Sequence, residues 1–159
     1  MDENISYTEE DEEDYVNSIG LLRVDAGSWK GNEVDRDSVY DEIEMGYYNE
    51  VMDSLDAFIE NTKDLGIKVI IVIYPQSPGF AETGSFGRHG VPRSIAMETI
   101  AHYREMEKKY PHMIFMDENN MGDHEYTDDL ALDYDHLCEA GALYFTHKLD
   151  SLLKTVDKW

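Results

Sequence analysis

Val69, Ile70, Ile71, Val72 and Ile73 stand in an unbroken row, with Lys68 before them and Tyr74 and Pro75 after. No other feature constrains the fold as much. β-Branched residues suit the extended backbone. A run apolar on both faces belongs to a strand covered on both sides, which is how parallel strands occur. Pro75 ends it, because proline has no N–H to give a ladder.

The surroundings supply the rest of an alternating pattern. From Tyr47, the positions Val51, Leu55, Phe58, Ile59 and Thr62 predict one apolar helix face, and Gly66 predicts the stop. A glycine- and proline-rich loop is expected over 76–93. A second helix is predicted over 93–109, with Ile95, Ile100, Tyr103 and Met106 inward and Pro111 as the break. Residues 113–116 predict a short strand ending at Asp117. A last helix is predicted over 139–155, with Leu143, Phe145, Leu149, Leu152 and Leu153 as packing positions. Upstream, Ile19 to Val24 form a short apolar run before Asp25, Ala26 and Gly27, which predicts one more strand. Strands alternating with helices predict an α/β fold: a three-layer α/β/α arrangement on a small parallel sheet.

Charge limits the partners. The chain has 35 acidic and 13 basic residues, a formal net charge of −22. That speaks against nucleic acid, which needs clustered Lys and Arg. It speaks equally against an anionic membrane surface. No stretch has the length of a membrane span. Residues 1–16 are dominated by acids and read as a disordered lead-in or linker, with the folded domain over 17–159. The N-terminus lacks the basic-then-apolar order of a signal peptide. A single cysteine, Cys138, cannot form an intrachain disulfide.

Ligands of parallel sheets bind beyond the carboxyl ends of the strands. That directs attention to three loops, and the third, over 117–136, is the richest. It ends in Asp133, Tyr134, Asp135 and His136. A carboxylate three residues before an imidazole can hold the ring and stabilise the imidazolium formed in proton transfer. Asp135 is a rival partner, although adjacent residues usually point apart. The alternative is that the two aspartates cap the last helix and His136 is an ordinary surface residue. Asp117, Asp123, His124, Asp133 and His136 lack the close helical spacing of a metal motif, so no metal and no other cofactor is expected.

The block Asp133, Tyr134, Asp135, His136 and Leu137, followed by Gly141, Ala142 and an amphipathic helix, resembles the last conserved block of the SGNH (GDSL-type) hydrolase superfamily. The strand ending in Pro75 and the strand ending in Asp117 resemble that superfamily's later strands, so the resemblance covers roughly residues 47–153. It implies a flavodoxin-like fold and an ester hydrolase in which His136 is the general base and Asp133 orients it. The substrate would be a small-molecule or carbohydrate ester. The family's nucleophile is a serine in Gly-Asp-Ser, and this chain has no such sequence. Ser28, after the strand predicted at 19–24, is a substitute nucleophile. Gly31 and Asn32 compete with it as an oxyanion element, and Arg88 and His89 are candidates for substrate contact. Three strands where the family has five imply an incomplete sheet, completed by an upstream domain or by a second copy of the chain. The resemblance suggests a piece of a larger bacterial protein, exported or at the cell surface. The competing expectation is a non-catalytic binding or scaffolding module that keeps the fold without the nucleophile.

Overall fold

A computed structural model describes residues 27–29, 45–83, 86–87 and 91–156. The strand predicted at 19–24 and the acidic lead-in lie outside the described residues, as do Gly31, Asn32, Arg88 and His89. The regular elements run α1 (Met45–Asp64), β1 (Val69–Ile73), α2 (Arg93–Lys109), β2 (Met113–Asp117) and α3 (Glu139–Val156). Short 3-10 turns at Pro78–Glu82, Asn120–Gly122 and Asp128–Leu130 punctuate the connections. The fold is of the α/β class. No described helix is long and apolar enough to cross a membrane.

Each boundary has a local cause. Gly66 adopts a φ of +67° just past α1, a conformation open to glycine at little cost. The Gly66 N–H donates to Lys63 O at 3.1 Å and that of Ile67 to Thr62 O at 3.1 Å, which closes the helix end. Pro92 precedes α2, and Pro111 follows the Tyr110 N–H that completes its last bond to Met106 O. Glu107 on α2 accepts the Phe115 N–H of β2 at 2.8 Å, tying helix to strand.

β1 and β2 pair in parallel, with Val69 opposite Met113 and Ile73 opposite Asp117. Among the described residues these are the only paired strands. Their side chains alternate between two clusters, as the two-residue period of a strand demands. Ile70 and Val72 pack with Trp29, Met116, Tyr126, Ala131 and Phe145, the last from α3. Val69, Ile71 and Phe115 pack with Ile59 of α1, Met106 of α2, Tyr110 and Met113.

Two predicted faces need correction. On α1 the inward stripe is Met52, Leu55, Ile59 and Thr62; Val51 and Phe58 are exposed. On α3 it is Gly141, Phe145, Leu149, Leu152 and Val156; Leu143 and Leu153 lie off it and are exposed. In both helices adjacent apolar residues fit the helical period, and packing against the strands selects between them. Ile59 is 0% exposed and Phe58 58% exposed. Ile59→Val should therefore cost about 1 kcal/mol, from a lost methylene and the gap it leaves. Phe58→Ala should change stability by less than about 0.5 kcal/mol. Urea unfolding of the two variants checks the assignment; equal losses would overturn it.

Candidate functional site

The chains leaving β1 and β2 are joined to each other. Asn119, buried, donates its amide to Tyr74 O at 3.3 Å and accepts the Gly122 N–H at 3.0 Å. The Ser77 N–H donates to Tyr134 O at 2.8 Å. Asn120 and Met121 hold φ values of +44° and +60° between these ties. Non-glycine residues adopt such angles at a cost, so the surrounding bonds must hold them. Arg93 contributes one, donating to Met121 O at 3.2 Å.

The third loop closes into a tight turn just before α3. Ala131 and Leu137 form an antiparallel bridge, and the Leu132 N–H donates to His136 O at 2.9 Å. At the tip, Asp133 Oδ1 accepts the N–H of Asp135 at 2.9 Å and of His136 at 2.8 Å. This is the local role of a short acceptor side chain in a turn. It curls the backbone so that residues 133 and 136 face one another.

The imidazole completes the arrangement. His136 Nδ1 lies 3.0 Å from both Asp133 oxygens. Asp135 Oδ1 also lies 3.0 Å from Nδ1. The expectation that Asp135 would point away is corrected: the backbone here is curled, and the alternation of an extended chain does not apply. Nor do the aspartates cap α3, which begins at Glu139 beyond the turn. With three carboxylate oxygens around it, Nδ1 carries the proton, and Nε2 is left as the basic nitrogen. The His136 side chain is 63% exposed, while that of Asp135 is 10% exposed.

Burial pushes the Asp133 carboxyl up, but Asp135 and the hydrogen bond and charge of His136 outweigh it and hold it below the ordinary aspartate range. A depressed carboxyl contributes stability above its unfolded pKa, about 3.9. That contribution is lost as pH falls through the lower folded value. Wild-type protein should therefore lose more stability than Asp133→Asn between pH 6 and pH 3, as read by urea midpoints. Parallel losses in the two proteins would contradict the shift.

Ser28 is brought to the same end of the sheet. The Gly27 N–H donates to Ala131 O at 2.8 Å, and Trp29 is buried with Ala131 and Tyr126. Ser28 has one hydroxyl proton, and it goes to Asp128 Oδ2 at 2.7 Å, not to His136. Asp128 is a residue that sequence reasoning missed. It stands 100 positions from Ser28 and nothing local marks the pair. Asp133, Asp135 and His136 are also the one group among the described residues whose ligand atoms lie close enough together to surround a metal ion. His124, considered with other acids as a ligand, instead bonds Gln76 O at 2.7 Å and packs edge-on to Trp29. Asp117 Oδ1 accepts the Asn120 N–H at 2.9 Å, a turn role.

No family model, no curated protein and no solved structure matches this chain.

Proposed function

We propose that this is an SGNH-like ester hydrolase domain of three-layer α/β/α form, with His136 as general base and Asp133 as the carboxylate that orients it. One observation carries the reading: Nδ1 is held at 3.0 Å by both oxygens of Asp133 while the exposed ring leaves Nε2 toward solvent. The fold proposal is supported by apolar side chains that alternate between a cluster containing α3 and a cluster containing α1 and α2.

The chemistry is acyl transfer. Nε2 takes the proton of a serine hydroxyl as its oxygen attacks the ester carbonyl. The same proton passes to the leaving alkoxide, which departs as an alcohol. Water then gives a proton to Nε2 as its oxygen attacks the acyl carbon, and that proton passes to the serine oxygen as the bond to the acyl group breaks and the acid departs. Asp133 stabilises the imidazolium at each transfer. A small-molecule or carbohydrate ester as substrate rests on analogy.

A second reading, a non-catalytic binding module, is favoured by the Ser28 hydroxyl donating to Asp128 Oδ2. A fluorophosphonate probe separates the two. Covalent labelling of one serine, lost in His136→Ala, supports the hydrolase and identifies the nucleophile. Absence of labelling on the folded chain supports the binding module.

A further inference from the structure

α1 carries a second apolar row that the core does not use. Val51, Phe58 and Leu65, the last one position past the helix, recur every seven residues and are 41%, 58% and 72% exposed. Seven residues are nearly two helical turns, so the three follow one line over about 21 Å. Exposed apolar side chains scattered singly are ordinary, but a row at heptad spacing is the pattern by which helices pack on helices. Residues advance about 100° around a helix, which fixes the flank that the row occupies. Asp56 stands about 60° from Ile59 on one side, where it meets Lys109 and Tyr110 at the end of α2. Phe58 stands about 100° from Ile59 on the other side. The row therefore borders the core stripe on the flank turned away from the end of α2.

Charge selects the occupant. Glu50 and Asp64 each precede a row residue by one position, the place from which a heptad seam is flanked by charge. Both are exposed, and among the described residues neither is in an ion pair. The one basic residue of α1, Lys63, lies about 40° from Ile59 on the Asp56 side, away from the row. A second copy of the chain is a poor occupant, because it would set Glu50 and Asp64 against like charges, each copy bearing −22. Ser54 and Asn61, polar and exposed, also stand where a self-pairing seam needs its second set of apolar residues. A basic helix with a single apolar stripe meets both conditions.

We propose that this flank of α1 docks a basic amphipathic helix of another polypeptide, its apolar side chains on Val51, Phe58 and Leu65 and its lysines or arginines against Glu50 and Asp64. The apolar contacts supply affinity, and the acids set orientation and reject acidic partners. Ile59, fully buried, already fixes α1 on the sheet, so the row is presented without an ordering cost. The inference does not rest on the ester-hydrolase reading.

Two fluorescein-labelled synthetic helices are the probes, one with leucines on one stripe and lysines elsewhere, the other with glutamates in place of the lysines. Anisotropy of each is followed against the full chain at about 0.15 M salt, where attraction between distant charges is screened. The expected result is saturable binding of the lysine helix, at least about tenfold tighter than that of the glutamate helix. Phe58→Ser should weaken the lysine helix about tenfold or more. Met97→Ser, the same change at an exposed position on α2, should leave its binding unchanged. Glu50→Gln combined with Asp64→Asn should weaken it about fivefold. Urea midpoints of all these variants should stay with that of the wild type, since every substituted side chain is exposed. Equal binding by wild type and Phe58→Ser would overturn the proposal in favour of general attraction between a cationic peptide and an acidic chain. Equal binding of the two helices would overturn it as well, and so would no saturable binding up to about 1 mM. A dimer in sedimentation that Phe58→Ser abolishes would replace the partner with a second copy. No ester or serine label enters these measurements, so their failure and that of the hydrolase reading are distinguishable.

Discussion

On the ester-hydrolase proposal, His136→Ala is expected to lower kcat/KM on a short-chain p-nitrophenyl ester by about a thousandfold or more. The alanine removes the only group in the turn that can both take and return a proton at neutral pH. Asp133→Asn is the informative companion. Its amide oxygen can still accept the backbone N–H groups of Asp135 and His136, so the turn survives. It cannot stabilise an imidazolium as a carboxylate does, and a loss of about a hundredfold is expected. Asp135 stands 3.0 Å from the same Nδ1 and retains part of the field. The double variant Asp133→Asn with Asp135→Asn should therefore lose more than either single one. Undiminished hydrolysis by His136→Ala would end the assignment of His136 as the base.

Gly27→Ala should destabilise the fold by about 3 kcal/mol or more, a size that points to a backbone collision. A Cβ at position 27 would stand 1.7 Å from Leu132 O. A carbonyl oxygen in a bridged turn cannot swing aside as a long side chain can. Either the segment at 27–29 leaves its place or the turn at 131–137 does. The first outcome exposes Trp29 and takes the Ser28 hydroxyl away from Asp128; the second moves the Asp133–His136 tip. In the Trp159→Phe background, urea unfolding followed by Trp29 emission should show a lower midpoint and a red-shifted native signal. An unchanged midpoint would mean that the close approach of Gly27 to Leu132 does not exist in solution.

Much of the chain was legible because its boundaries carry local chemistry. Pro92 and Pro111 frame α2, Gly66 closes α1, and the β-branched row at 69–73 is a strand. The faces of α1 and α3 were less legible. Phe58 and Ile59 are neighbours of equal apolarity, and contacts with β1 and β2 choose between them. The turn at 133–136 was half legible. The spacing of Asp133 and His136 foretold their contact, since the reach is short. The approach of Asp135 depends on a curled backbone that only the two N–H bonds to Asp133 create. Asp128 and Ser28 were illegible together, because their meeting is set by the whole fold between them.

The pairing of Val69 with Met113 has a consequence for the chain as it is made. β1 leaves the ribosome well before its partner strand exists, because α2 and its flanking loops must be synthesised first. Until then, among the described residues, β1 has no strand to pair with, and its five consecutive β-branched residues are open to copies of themselves in neighbouring chains. Lys68 and Pro75 flank that row. A charge at one end and a residue without an N–H at the other are the two substitutions that most hinder strand stacking. They act during the interval before β2 appears.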